Sequence, residues 1–177
     1  MGLFGIGSKK KFEALWAICQ KHSRTLSIGK MPSEEIVRLN ITQMISDRLR
    51  INTDSAALLQ STHNPDTFYS RLDLFKENLD TLMEIEAVDA SYFKTKPSSL
   101  KKKMEKAIEK EEVEMWDRCF DAQVKAYKDA KTDAARAKAM KKHFDLAEKY
   151  AARLGNGAKK AIDKHMKTAN KKYGYNS

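Results

Sequence analysis

Apolar side chains recur along most of this 177-residue chain at steps of three and four residues, the spacing that places them on one face of an α-helix. Residues that turn the chain are scarce, because only seven glycines and three prolines occur. An all-β sandwich or barrel needs many tight turns, so this composition argues against both. The sequence therefore predicts an all-α fold, a bundle of antiparallel hairpins with six to seven helices.

The helices are predicted in three regions of the sequence. Residues 1–30 form an N-terminal amphipathic helix or arm whose helix ends at Gly29. Residues 33–93 form a helical hairpin region, and residues 98–177 form a basic helical region that begins with one long helix at about 100–128. The alternative to this division is one continuous domain.

Polar residues and glycines mark the expected helix ends inside these regions. The Asn-Thr-Asp sequence at 52–54 predicts a break between a helix and a shorter one at 55–61. Gly-Asn-Gly at 155–157 is expected to end the helix that Thr132 or Asp133 begins. Residues 173–177 are expected to form a loose tail.

The clearest helix start lies at Asn64, whose side chain can cap the helix while Pro65 takes the first helical position. The apolar stripe of this helix consists of Phe68, Leu72, Phe75, Leu79 and Leu82.

The stretch NPDTFYSRLDLFKENLDTL, residues 64–82, resembles a segment of bacterial helical proteins of the Firmicutes type that carry no assigned function. The resemblance implies a bacterial, cytoplasmic protein and assigns no role to any residue.

No reactive constellation is visible, so we predict no catalytic residues, no cofactor and no metal site. The chain lacks phosphate-binding, dinucleotide-binding, zinc-protease and serine-hydrolase motifs. Cys19 and His22 are spaced like two zinc ligands, but no second pair lies nearby in the sequence. Cys19 and Cys119 are predicted to be buried free thiols, and His165 to be a hydrogen-bonded histidine at the edge of the core.

Five glutamates lie in the long helix, at positions where interspersed lysines predict a solvated, salt-bridged face. They are Glu105, Glu109, Glu111, Glu112 and Glu114.

The formal net charge of +10 is unevenly distributed along the chain. Residues 1–31 carry +5, residues 32–97 carry −4, residues 98–122 carry −1 and residues 123–177 carry +10. The excess positive charge therefore lies at the two ends, around an acidic middle.

The basic side chains of the last two predicted helices lie largely off the apolar stripes, as expected of a surface that contacts phosphate backbones. The candidate nucleic-acid-binding residues are Lys138, Lys141, Lys142, Lys149, Arg153, Lys159, Lys160, Lys164, Lys167, Lys171 and Lys172.

The N-terminal segment is the candidate membrane contact, because apolar residues precede a lysine cluster. Its members are Leu3, Phe4, Ile6, Lys9, Lys10 and Lys11. The alternative is that the apolar residues of this region complete the core of the bundle.

Protein–protein association, including self-association, is the function that the sequence favours, with the half-polar helix at Leu100–Lys128 as the docking element. Sequence-independent nucleic-acid binding is the alternative, and peripheral membrane association is a further alternative. Neither a secretory signal nor a membrane-spanning run is visible, which predicts a cytoplasmic protein. The lack of a reactive constellation predicts that the protein is not an enzyme.

Overall fold

The computed structural model of the protein describes residues 7–23 and 30–175. Within them the chain forms only helices and connecting segments, with no strand, so the predicted all-α helical bundle is confirmed. The helices are α1 (Ser8–His22), α2 (Glu34–Ser61), α3 (Pro65–Val88), α4 (Pro97–Asp129), α5 (Asp133–Lys149) and α6 (Asn156–Tyr173), with a 3₁₀ turn at Ala90–Tyr92.

The chain divides into two compact units, and neither is a continuous stretch of sequence. Unit 1 consists of residues 1–56 and 72–104, and unit 2 consists of residues 57–71 and 105–177. Helices α2, α3 and α4 thus contribute residues to both units. The predicted division into 1–30, 33–93 and 98–177 remains a prediction.

The core of unit 1 is built from the apolar faces of α1, α2 and α3. Val37 and Ile41 are fully buried against the α1 side chains Phe12 and Leu15, and Ile85 of α3 completes this centre. The apolar face of α2 is therefore buried as far as Ile45, whereas Leu49 is 49% exposed. Helix α1 ends at His22, and Gly29, its predicted end, lies outside the described residues.

The core of unit 2 surrounds Trp116, which is fully buried in the second half of α4. Phe120 follows it on the same face and packs with Met140 and Phe144 of α5 and with Ala169 of α6. The predicted long helix is present, and its second half carries the buried apolar residues as expected.

The predicted break at 52–54 is wrong, because α2 continues through it to Ser61. The Thr53 hydroxyl donates to the carbonyl of Leu49 at 3.0 Å, one helical turn back, instead of forming a turn. Asn52 and Ser55 are buried. Packing of this face therefore overrides the local preference of polar residues for a loop.

The glycines at 155 and 157 begin α6 and do not end α5, which already ends at Lys149. A Cβ atom on Gly155 would lie 2.7 Å from Glu112 Oε2, and one on Gly157 would lie 2.9 Å from Val113 Cγ2. Both distances are shorter than an ordinary contact, so these glycines allow the start of α6 to approach α4 closely.

Candidate nucleic-acid interface

All eleven basic residues that the sequence proposes for nucleic-acid binding lie in unit 2 and are exposed. They occupy α5, the turn after it and α6. The prediction that they lie off the apolar stripes is therefore confirmed, but their surroundings within the fold differ.

Three of the eleven already interact with other groups of the chain. Lys149 Nζ donates to Asp66 Oδ1 at 2.6 Å, and the guanidinium of Arg153 lies 4.7 Å from the ring centre of Tyr69. Lys141 Nζ lies 3.5 Å from Asp145 Oδ2, four residues further along α5. Lys149 and Arg153 therefore help to hold unit 2 together and are the least available for an external phosphate.

Four lysines of α6 form one continuous row, which we call the α6 lysine stripe: Lys160, Lys164, Lys167 and Lys171. Steps of four, three and four residues keep them on one face over about 16 Å of helix. The opposite face carries the buried residues Ala161, His165 and Ala169. None of the four stripe lysines forms an ion pair with another described residue.

Repulsion between the lysines of the α6 lysine stripe destabilises this helix in the free protein. Like charges one helical turn apart destabilise a helix by about 0.2–0.5 kcal/mol per pair. Lys160 and Lys164 form such a pair, as do Lys167 and Lys171, whereas the exposed Asp163, four residues before Lys167, offsets part of the repulsion. A bound polyanion would relieve this repulsion, and its phosphates would replace the counterions that the lysines attract.

A buried polar network supports the helices that carry this surface. The Tyr69 hydroxyl donates to Glu112 Oε1 at 2.6 Å, and the Gly155 N–H donates to Glu112 Oε2 at 3.1 Å. Trp116 Nε1 donates to Tyr69 Oη at 3.3 Å. Burial and the neighbouring Glu112 carboxylate raise the pKa of Tyr69, which keeps this donor protonated.

The acidic cluster of α4 is therefore only partly the solvated face that the sequence predicts. Glu112 is 7% exposed and is the acceptor at the centre of the network, which corrects the prediction for that residue. Glu105 and Glu109 are exposed as predicted, and Glu114 lies 3.3 Å from Lys110 Nζ, whereas Glu111 is half-buried. Helical spacing alone could not distinguish Glu112, because Tyr69 and Gly155 are each 43 residues away in the sequence.

His165 is buried and hydrogen-bonded, as the sequence predicts. Its Nε2 lies 2.8 Å from Asp117 Oδ1, and its Nδ1 lies 3.2 Å from Nε2 of His143. His143 itself is fully buried, and its Nδ1 has no hydrogen-bond partner in the part of the chain that the structure describes. Two histidines and one carboxylate thus form a chain inside unit 2, with aromatic rings of Trp116 and Phe120 against it.

Both cysteines are buried free thiols, as predicted. Burial raises the pKa of the Cys19 and Cys119 thiols to about 11. The reactive thiolate is therefore a minor species at neutral pH, and neither residue has the features of a nucleophile.

In unit 1, His22 contacts a glutamate of α3 and does not form a zinc site with Cys19. His22 Nε2 lies 3.0 Å from Glu84 Oε2, and Lys21 Nζ donates to Glu84 Oε1 at 2.7 Å. In the part of the chain that the structure describes, no three His, Cys, Asp or Glu side chains are grouped as a metal site would require.

The candidate membrane segment is only partly described. Leu3, Phe4 and Ile6 lie outside the described residues, Lys9 and Lys10 are exposed, and Lys11 Nζ lies 2.6 Å from Asp89 Oδ2. Phe12 and Leu15, which follow, are buried in the core of unit 1. Among residues 7–23 and 30–175, no helix combines the length and the apolar character needed to cross a bilayer.

Sequence reasoning missed one surface feature, an open groove of about 650 Å³ in unit 2. Tyr127, Tyr173 and Tyr175 line it together with the basic side chains of Arg136, Lys138 and Lys141. The predicted loose tail is thus wrong for Tyr173 and Tyr175, which are half-buried. Gly174 between them was the available signal, because a glycine just past a helix often turns an apolar side chain back onto it.

Comparison with known proteins gives no relative: no protein-family model, no curated protein and no solved structure matches this chain significantly. The resemblance of residues 64–82 to Firmicutes-type helical proteins therefore remains a prediction.

Proposed function

We propose that the protein binds nucleic acid without sequence preference, through the phosphate backbone, and that the α6 lysine stripe is the main contact. The observation that carries this proposal is a row of four exposed lysines along one helix face, none of which pairs with a carboxylate of the described residues. A row of cations about 16 Å long matches several successive phosphates of a strand.

The residue types of the surface fit backbone contact and not base reading. Lysine is a flexible point charge, whereas reading of base edges relies on the fixed two-donor geometry of arginine. Only Arg136 and Arg153 interrupt the lysines in residues 123–177, and Arg136 Nη1 donates to Asp133 Oδ1 at 3.0 Å. Affinity for any sequence of equal length and strandedness should therefore be similar.

The salt dependence of binding to a 20-nucleotide DNA strand tests this function. Each phosphate contact to a single strand contributes about −0.7 to the slope of log K against log salt, so four contacts predict a slope near −3. Affinity should then fall about 50-fold between 50 and 200 mM salt. Fluorescence anisotropy measures this; absence of binding at 50 mM salt, or salt-independent binding, would contradict the proposal.

A second candidate function, helix-mediated protein association, is supported by exposed apolar residues on α2 in unit 1. Ile36 is 48% exposed and Leu39 is 68% exposed, and both lie one turn apart, away from the buried Val37. The docking element expected from the sequence, α4, has mostly exposed residues at 105–110. Opposite net charges in residues 32–97 and 123–177 would favour self-association.

Light scattering tests this second function. If two copies associate through α2, the protein at high concentration should show a dimer mass that Ile36→Gln with Leu39→Gln reduces to the monomer mass. Leu49→Gln is the control, because Leu49 is a comparably exposed residue of the same helix. A monomer mass for the wild-type chain at every concentration would contradict self-association.

A further inference from the structure

The groove at the C-terminal end of α6 combines cations with aromatic rings, and it adds a feature that the α6 lysine stripe lacks. Tyr127 comes from the end of α4, Arg136 and Lys138 from the first half of α5, and Tyr173 and Tyr175 from the end of the described chain. Its volume of about 650 Å³ falls in the range of small-ligand sites, ~300–1,000 Å³.

The aromatic rings of the groove are held in place by the fold. The Tyr127 hydroxyl donates to the Tyr173 carbonyl at 3.3 Å, and the two ring centres are 5.0 Å apart. Tyr175 stacks on Phe144 of α5 at 5.0 Å with an interplanar angle of 25°. One face of the Tyr175 ring is therefore covered by Phe144, while the residue also lines the groove.

The turn that positions Tyr175 depends on Gly174. Gly174 has a φ of +64°, in the left-handed region that glycine adopts without strain, and the Tyr175 N–H donates to the Ala169 carbonyl at 3.3 Å. This helix ending directs Tyr175 back onto α5, as expected of a left-handed C-terminal cap with its apolar contact.

The cations of the groove are available to an anionic ligand. Lys138 is exposed and forms no ion pair with a described residue. Arg136 and Lys141 pair with Asp133 and Asp145 of their own helix, and both carboxylates are largely exposed, although Asp133 also lines the groove. Exposed pairs of this kind contribute about 0–1 kcal/mol, so a phosphate can replace the carboxylate at little cost.

We infer that this groove binds an unpaired nucleotide, with a base against the tyrosine rings and its phosphate at Lys138 and Arg136, and that the protein therefore prefers single strands to duplexes. In a duplex the bases are already stacked on each other, and only the phosphates are accessible to this surface. A single strand offers both the base faces and the phosphates. The inference rests on the proposed backbone contact at the α6 lysine stripe and deepens it.

The test compares a 12-nucleotide thymidine strand, an abasic strand of the same length and a duplex, all by anisotropy at one salt concentration. The wild-type chain should bind the thymidine strand about 5- to 150-fold more tightly than the abasic strand, as expected for one stacked base. Tyr175→Leu, which keeps an apolar contact to Phe144 but removes the ring, should abolish most of that difference. Tyr175→Phe should retain it.

The outcomes separate this inference from the proposed function. If all three probes bind with equal affinity, and Tyr175→Leu changes nothing, the groove does not stack bases although the α6 lysine stripe still binds phosphates. If no probe binds at 50 mM salt, both proposals are wrong. An equal loss of affinity for the duplex and the thymidine strand in Tyr175→Leu would show that the contact is not specific to unpaired bases, and would overturn the stacking inference.

Discussion

Replacing the four lysines of the α6 lysine stripe by glutamate should lower the affinity for a 20-nucleotide strand by at least about 100-fold at 50 mM salt. The change removes four cations that lie in one row and places four anions in the same positions, next to the phosphates. Because all four side chains are exposed and opposite the buried face of α6, the fold of unit 2 should persist. Circular dichroism would verify that the helical content is unchanged.

A control with the same net charge distinguishes a local site from general attraction. Lys101, Lys103, Lys106 and Lys110 of α4 can also be replaced by glutamate, which changes the net charge of +10 by the same amount. Equal losses of affinity in both variants would show that binding follows net charge only. Retained affinity in the stripe variant, with loss in the control, would place the contact elsewhere.

The sequence predicts the start of a helix correctly where the capping residue lies next to that start. The Asp66 N–H donates to Asn64 Oδ1 at 2.9 Å, and α3 begins at Pro65, as the capping pattern predicts. Thr132 likewise caps α5 by accepting the Ala135 N–H at 3.2 Å. In both cases donor and acceptor lie within three residues, so the sequence contains the whole interaction.

Features that depend on distant residues could not be predicted in this way. Glu112 was assigned to a solvated face because its helical position and its lysine neighbours suggest one, yet Tyr69 and Gly155 bury it. The groove has the same origin, since Tyr127 and Tyr173 meet only when α4 and α6 pack. The exposure of the lysines is easier to predict, because a side chain in solvent needs no particular partner residue.

The hydrogen-bond chain through His165 determines how unit 2 should respond to acid. At the exposed end of this row of hydrogen bonds lies Asp117, whose carboxylate accepts the Nε2–H of His165. Neutral His165 then has Nδ1 as an acceptor, so His143 donates from Nε2. This leaves Nδ1 of His143 as a buried lone pair, and protonating it would create a buried cation with an unpaired donor.

We therefore expect the free energy of unfolding to fall as the pH decreases from 6.5 to 5. Burial, together with repulsion from His165, lowers the pKa of His143 to about 3, and burial lowers the pKa of His165 despite Asp117. An unfolded chain takes up these protons near pH 6.5, whereas the folded chain takes up the His143 proton only near pH 3 and the His165 proton at a lower pH than the unfolded chain does. The stabilisation is thus complete above pH 6.5 and decreases by about 1.4 kcal/mol per pH unit for each proton taken up.

Urea unfolding at pH 7.5, 6.0 and 5.0 measures this effect before the carboxylates contribute. Asp66, Glu84 and Asp89 have pKa values below their ordinary range, so their stabilising contributions are lost only at lower pH.

His143→Gln keeps a donor for His165 and does not titrate, so it should flatten the pH dependence. His63→Gln makes the same substitution at an exposed position, and an equal flattening in that variant would show that the effect is not specific to His143. A wild-type stability that is equal at pH 7.5 and 5.0 would show that His143 accepts a proton in the folded chain as readily as in the unfolded one.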